Sequence, residues 1–108
     1  MTPEQPAPAS GALAELAKLT SAGTPPDKVT EAVGRIIAGW AEEPDMDAAE
    51  VQSRIGLLWD GTTKDTAELE EQISDAEGAD AASLAGAKRV LAALRAATRA
   101  LAAAHDRF

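Results

Sequence analysis

No cysteine occurs in the 108 residues, so the chain has no disulfide framework, no thiolate metal ligand and no thiol nucleophile. Tyrosine is absent too, and the aromatic residues are Trp40, Trp59 and Phe108. Large apolar contacts must therefore come from leucine, isoleucine, valine and those three rings. The single histidine, His105, stands three residues before the last position. A histidine metal cage or a Ser-His-Asp triad built on it would rely on a fraying helix end. Its expected role is that of a cation complementing a helix dipole.

Long apolar runs are also lacking. Gly34–Trp40 and Gly56–Trp59 fall far short of the ~20 residues that cross a bilayer, and the first residues show neither the basic nor the apolar region of a secretory signal. No membrane association is expected, and the expected location is cytoplasmic. No stretch alternates apolar and polar residues, and β-branched residues are sparse, so strands are not expected. Gly34, Gly39, Gly56 and Gly61 form no phosphate-binding loop pattern, which leaves nucleotide hydrolysis without support. Asp45-Met46-Asp47 is followed by alanines rather than by a glycine and glutamate in calcium-loop register. No metal or cofactor is expected.

The charge that is present is unevenly placed. The net charge is −8, but residues 1–41 carry −1, residues 42–80 carry −11 and residues 81–108 carry +4. Such a balance makes nucleic-acid binding an unfavourable reading, because that surface needs cations to displace phosphate counterions. Alanine is abundant and arginine outnumbers lysine, a composition expected of a high-GC bacterial or phage source.

The periodicity predicts an all-α fold, a small bundle of four to five helices with a long Ala/Leu-rich C-terminal helix. Residues 1–10, with three prolines, are expected to form a disordered tail, and residues 11–108 a single helical domain. Ser10 is the expected cap of a first helix over Gly11–Ser21, with Leu13, Leu16 and Ala17 on one face and Gly23 closing it. Thr24 as cap, Pro25 at the first helical position and Asp27 predict a second helix to about Ala41. Its buried face is Val29, Val33, Ile36, Ile37 and Trp40. Gly34 and Gly39 inside it imply either a close helix neighbour or local weakness.

Asp47 and Glu50 signal the start of a third helix, over Ala48–Asp60, that buries Val51, Ile55, Leu58 and Trp59 and ends at Gly61. Residues 63–77 and 80–106 then read as an antiparallel hairpin broken near Gly78. The alternative is one long helix from Thr63 to Asp106, which would imply a dimer. Leu84, Ala87, Leu91, Leu94, Thr98, Leu101 and His105 recur at heptad-like steps.

A motif E-x3-R-I-x3-W occurs twice, as Glu31, Arg35, Ile36, Trp40 and as Glu50, Arg54, Ile55, Trp59. Its plain meaning is two amphipathic helices solving one packing problem; the sharper one is a shared tryptophan surface. Lys88, Arg95 and Arg99 share a stripe of the last helix and are expected to pair with acidic residues of Glu68–Asp80.

The leading functional expectation is a noncatalytic interaction, regulatory or assembly module binding another protein or a second copy of itself. Its candidate contact residues are Trp40, Trp59, Leu84, Leu91, Leu94 and Leu101, with Lys88, Arg95, Arg99, Glu68, Glu70 and Glu71. A second is a small acidic inhibitor, of immunity or anti-defence type, occupying a basic site on a target. A third is an enzyme with a carboxylate-lined pocket near Trp40, Trp59 and Asp60. It is the least supported, because the usual nucleophiles and general bases are nearly missing.

Overall fold

The structure, a computed structural model, describes residues 8–76, 78 and 80–108. Among them every regular element is helical: α1 spans Pro8–Ser21, α2 Pro26–Ala41, α3 Ala48–Ser74 and α4 Ala81–Arg107. The bundle therefore has four helices. Residues 1–7 of the expected tail lie outside the described residues, whereas residues 8–10 belong to α1, so Ser10 sits within that helix rather than capping it.

Each boundary has a local cause. At the end of α1 the Gly23 amide donates to the Thr20 carbonyl and the Thr24 amide to the Leu19 carbonyl, a Schellman pair that needs the positive φ of Gly23, +70°. The expected cap at Thr24 is corrected: Pro25 occupies that position with φ −55° and ψ 143°, and no side chain caps the helix. Pro25 is itself followed by Pro26. A residue before proline is pushed out of the α region, so the first helical residue must be Pro26. Asp47 caps α3 by accepting from the Glu50 amide at 2.8 Å, as the sequence predicts.

The expected end of the third helix at Gly61 is also corrected, since α3 continues for thirteen residues beyond it, to Ser74. Among the described residues only Gly23 and Gly78 adopt positive φ, and a helix-ending glycine needs that conformation. Gly61 instead lies under α1, where an added Cβ would meet Leu13 Cδ1 at 3.5 Å. Thr62 and Thr66 direct their hydroxyls back to the Trp59 and Thr62 carbonyls, so the polar residues after Gly61 do not interrupt the ladder. Gly78, at φ +87°, makes the break between α3 and α4. The single long helix from Thr63 to Asp106 is thereby excluded.

Residue pairings fix the topology. Gln52 Nε2 donates to the His105 carbonyl, and Glu70 pairs with Arg95, so α3 and α4 run antiparallel as the hairpin reading predicts. Glu15 pairs with Arg35 at 2.9 Å, which sets α1 against α2. Gly11 and Ala12 share a depression with Gly39 and Trp40, one turn beyond the Glu15–Arg35 pair, so α1 and α2 are antiparallel as well. The core is closed by Leu16, Val29, Val33, Val51, Ile55, Leu58 and Leu101, all nearly inaccessible. Burial of each such side chain contributes about 1.5–3 kcal/mol. Ala93, Ala96, Ala97 and Ala104 are buried on α4, and their small size lets neighbouring helices approach that face.

Two expected faces are rotated slightly. Leu13 is 47 % exposed and Ala17 is exposed, while Ala12 joins Leu16 inside; Ile36 is only half-buried. Nothing lies within 4 Å of a Cβ built on Gly34 or Gly39. Those glycines weaken α2 locally and admit no neighbouring helix.

Candidate interaction surface

Helix length decides which apolar residues stay uncovered. At 27 residues each, α3 and α4 reach about 40 Å, whereas α1 and α2, at 14 and 16 residues, reach only about 21 and 24 Å. The short helices cover the end of the hairpin where the two chain segments Ala48–Thr62 and Leu91–Arg107 meet. The other end projects beyond them.

The C-terminal turn of α1 marks where the cover stops. Ala17, Thr20 and Ser21 of α1 line a shallow depression together with Asp65 of α3 and with Val90 and Leu94 of α4. One and two turns further along the same ridges, Leu69, Gln72 and Ile73 of α3, with Ala76 just past its end, face Ser83, Leu84 and Ala87 of α4 around an open groove of about 180 Å³. Leu69, Ile73, Leu84 and Ala87 are each half-buried. The groove continues the lane that α1 occupies, and α1 leaves that lane because its chain turns at Gly23, against Arg89 of α4.

Carboxylates surround this end of the hairpin. Residues 65–80 contain seven aspartates and glutamates and no lysine or arginine. Glu68, Gln72 and Asp75 follow one another at steps of four and three, which places them on one ridge of α3 beside the Leu69, Ile73 and Ala76 ridge. Glu68 and Asp75 are exposed. Asp80 caps α4 by accepting from the Ser83 amide at 2.7 Å. That bond, with a second from the Ser83 hydroxyl, holds the Asp80 carboxyl below its ordinary 3.8.

The other candidate residues take different places. Leu91, Leu94 and Leu101 are core residues, 9 % exposed or less, so these leucines of the expected seam pack inside the chain, whereas Leu84, Ala87, Thr98 and His105 stay half-buried. The physical reason is that α1, α2 and α3 already fill the holes that a second chain would occupy. Of the basic stripe, Arg95 pairs with Glu70. Lys88 and Arg99 make no ion pair among the described residues. Arg99 faces Pro26, Asp27 and Thr30 across a shallow depression. Glu68 and Glu71 are exposed.

The two tryptophans do not share a surface. Trp40 is 5 % exposed and lies under the Arg54 guanidinium, 5.9 Å from ring centre to Cζ. Trp59 is partly buried and packs against His105, with ring centres 5.4 Å apart and planes tilted by 52°. The repeated motif is thus not used symmetrically: Arg54 pairs with Glu50 at 3.4 Å, whereas Arg35 reaches across to Glu15. Asp60 is exposed. Among the described residues no three histidine, aspartate or glutamate side chains are placed to hold a metal ion. Among the described residues no helix is long and apolar enough to cross a membrane.

The chain matches no family model, no curated protein and no solved structure.

Leu69, Ile73 and Ala76 belong to the groove although they are not among the expected contact residues, whereas Ala87 lies on the heptad-like seam. The available signal was that Leu69 and Ile73 are the only large apolar residues between Thr63 and Gly78.

Proposed function

We propose that this protein is a noncatalytic helical interaction module that binds another protein through the projecting end of the α3–α4 hairpin. The supporting observation is the groove between Leu69, Ile73 and Leu84, an apolar strip that continues past the last turn of α1 with none of the described helices over it. Apolar side chains presented on two packed helices form a site for a third element, as in helix-in-groove recognition. The core supplies the rigid mount. Affinity purification of the intact chain from its host at low and high salt tests the reading. One partner retained in fixed stoichiometry at low salt is expected; its absence at both salt concentrations, with the chain eluting at monomer mass, would remove the basis for the proposal.

A second reading is favoured by the run of seven carboxylates in residues 65–80. In it the protein is an acidic inhibitor whose Glu68, Glu70 and Glu71 occupy a basic site on a target. Charge would then carry the affinity, and binding would fall steeply with salt. The triple change Glu68→Lys, Glu70→Lys and Glu71→Lys would abolish binding, while filling the groove with Ala87→Trp would leave it intact. Loss of binding on Ala87→Trp supports the first reading.

A further inference from the structure

From the lane beyond α1 we infer the class of partner: a short, basic, amphipathic helix of another protein, docking in line with α1. This inference rests on the interaction-module reading above and specifies its ligand.

Three observations select that occupant. First, the lane is shaped for a helix, because the residues that flank α1 at its last turn, Asp65 on α3 and Val90 and Leu94 on α4, continue directly into Leu69, Ile73, Ala76, Leu84 and Ala87. The stretch from Leu69 to Ala76 is about 10 Å long, or two helical turns. Second, the floor is apolar and narrow, with alanine at positions 76 and 87, so the docking face must carry leucine-sized or smaller side chains at three-four spacing. Third, the α3 edge presents Glu68 and Asp75, both exposed, and the nearest pairing in the hairpin, Glu70 with Arg95, leaves neither of them neutralised. Lysine or arginine beside the apolar stripe of the incoming helix completes that edge.

The same charges disfavour two other occupants. A second copy carries the same net charge of −8, so its approach to this acidic end is opposed by like-charge repulsion. A membrane surface rich in anionic lipid would be repelled in the same way.

The test uses the full chain and three synthetic peptides of about 15 residues: one with a leucine and alanine stripe flanked by lysine, one with the same stripe flanked by glutamate, and one with the lysine composition but permuted leucines. Binding is read by fluorescence anisotropy and by methyl chemical shifts of the leucine and isoleucine side chains. The basic amphipathic peptide is expected to bind at least about tenfold more tightly than either control and to weaken by about tenfold between 0.05 and 0.5 M salt. Its shifts should centre on Leu69, Ile73 and Leu84. The exposed pair of changes Glu68→Lys and Asp75→Lys should remove the preference for the basic peptide without altering the circular-dichroism melting curve. Equal binding of the three peptides, or shifts centred on Leu13 and Leu57, would overturn the inference. If the peptides are not distinguished while the host partner is still retained, only the helix assignment falls; if no partner is retained either, the module reading falls with it.

Discussion

The guanidinium of Arg54 lies over the indole ring of Trp40, with 5.9 Å between its Cζ and the ring centre. Arg54 reaches there from the second copy of the repeated motif to cover the tryptophan of the first. Its Nε also meets Glu50 at 3.4 Å, and its Nη1 is buried with no hydrogen-bond partner among the described residues. The contact closes the end of the bundle opposite the groove, so it bears on stability rather than on binding.

Arg54→Ala is expected to lower stability by about 1 kcal/mol, combining a cation–π contact of roughly 0.5–1 kcal/mol with a helix pair of roughly 0.2–0.5 kcal/mol. Arg54→Met should remain closer to the wild type than to the alanine variant. It keeps an apolar stem over Trp40 and removes a buried N–H that lacks a partner. Urea denaturation followed by tryptophan fluorescence measures both; a methionine variant as unstable as the alanine variant would show that charge, not packing, holds the pair.

Glycine substitutions should separate turn from helix. Gly23→Ala places a Cβ at φ +70° and 3.2 Å from Arg89 Cβ, and the left-handed conformation alone costs about 1–2 kcal/mol. Gly61→Ala should instead raise stability, by up to about 1 kcal/mol, because its Cβ makes ordinary contact with Leu13 at 3.5 Å inside a continuous α3. Thermal melts of the two variants test the path of α3 directly. Destabilisation by Gly61→Ala would mean that the helix ends there after all.

Acid should loosen the start of α4. The Asp80 carboxyl is held below 3.8 chiefly by the Ser83 amide, so its ionised form is favoured in the folded state. Stability from a depressed carboxyl is present above its ordinary value and is lost as pH falls through the lowered one. The difference in urea midpoint between wild type and Asp80→Ala is therefore expected at neutral pH and should close in acid, below the carboxylate range. A gap that persists there would contradict the capping role.

The leucines of the α3–α4 hairpin should sort by burial. Leu101, at 0 % exposure, is expected to cost about 2–5 kcal/mol when changed to alanine. Leu57, at 60 % exposure, should stay within about 0.5 kcal/mol of the wild type. Because the α4 seam packs inside one chain, melting temperature should not depend on protein concentration. A concentration-dependent melt of the wild-type chain would show that the seam is shared between two chains.

Much of the fold was legible because its causes are local. The spacing of Val29, Val33, Ile37 and Trp40, the cap at Asp47 and the turn at Gly23 each act within a few residues, and the structure keeps them. Gly61 was misread because a glycine under Leu13 and a glycine ending a helix look alike in sequence; the difference lies in φ and in a neighbour 48 positions away. Thr24 lost the capping position to a steric rule between Pro25 and Pro26 that was present in the sequence but outweighed there by cap preference. The α4 leucines showed that a seam exists, but periodicity does not say whose side chains fill it, and α1 to α3 fill most of it. The groove was the least legible feature. It exists because α1 turns away at Gly23 while α3 and α4 continue, a relation between the lengths of separate helices.

The projecting groove as the binding surface is tested most directly by one change, Ala87→Trp, which places an indole between Leu69, Ile73 and Leu84 without adding charge. Partner retention by this variant is compared with retention by the wild-type chain, after matched circular-dichroism melts show that both are folded. Loss of the partner from the variant is the expected result. Retention in unchanged proportion would contradict it and would move the working surface away from the hairpin groove.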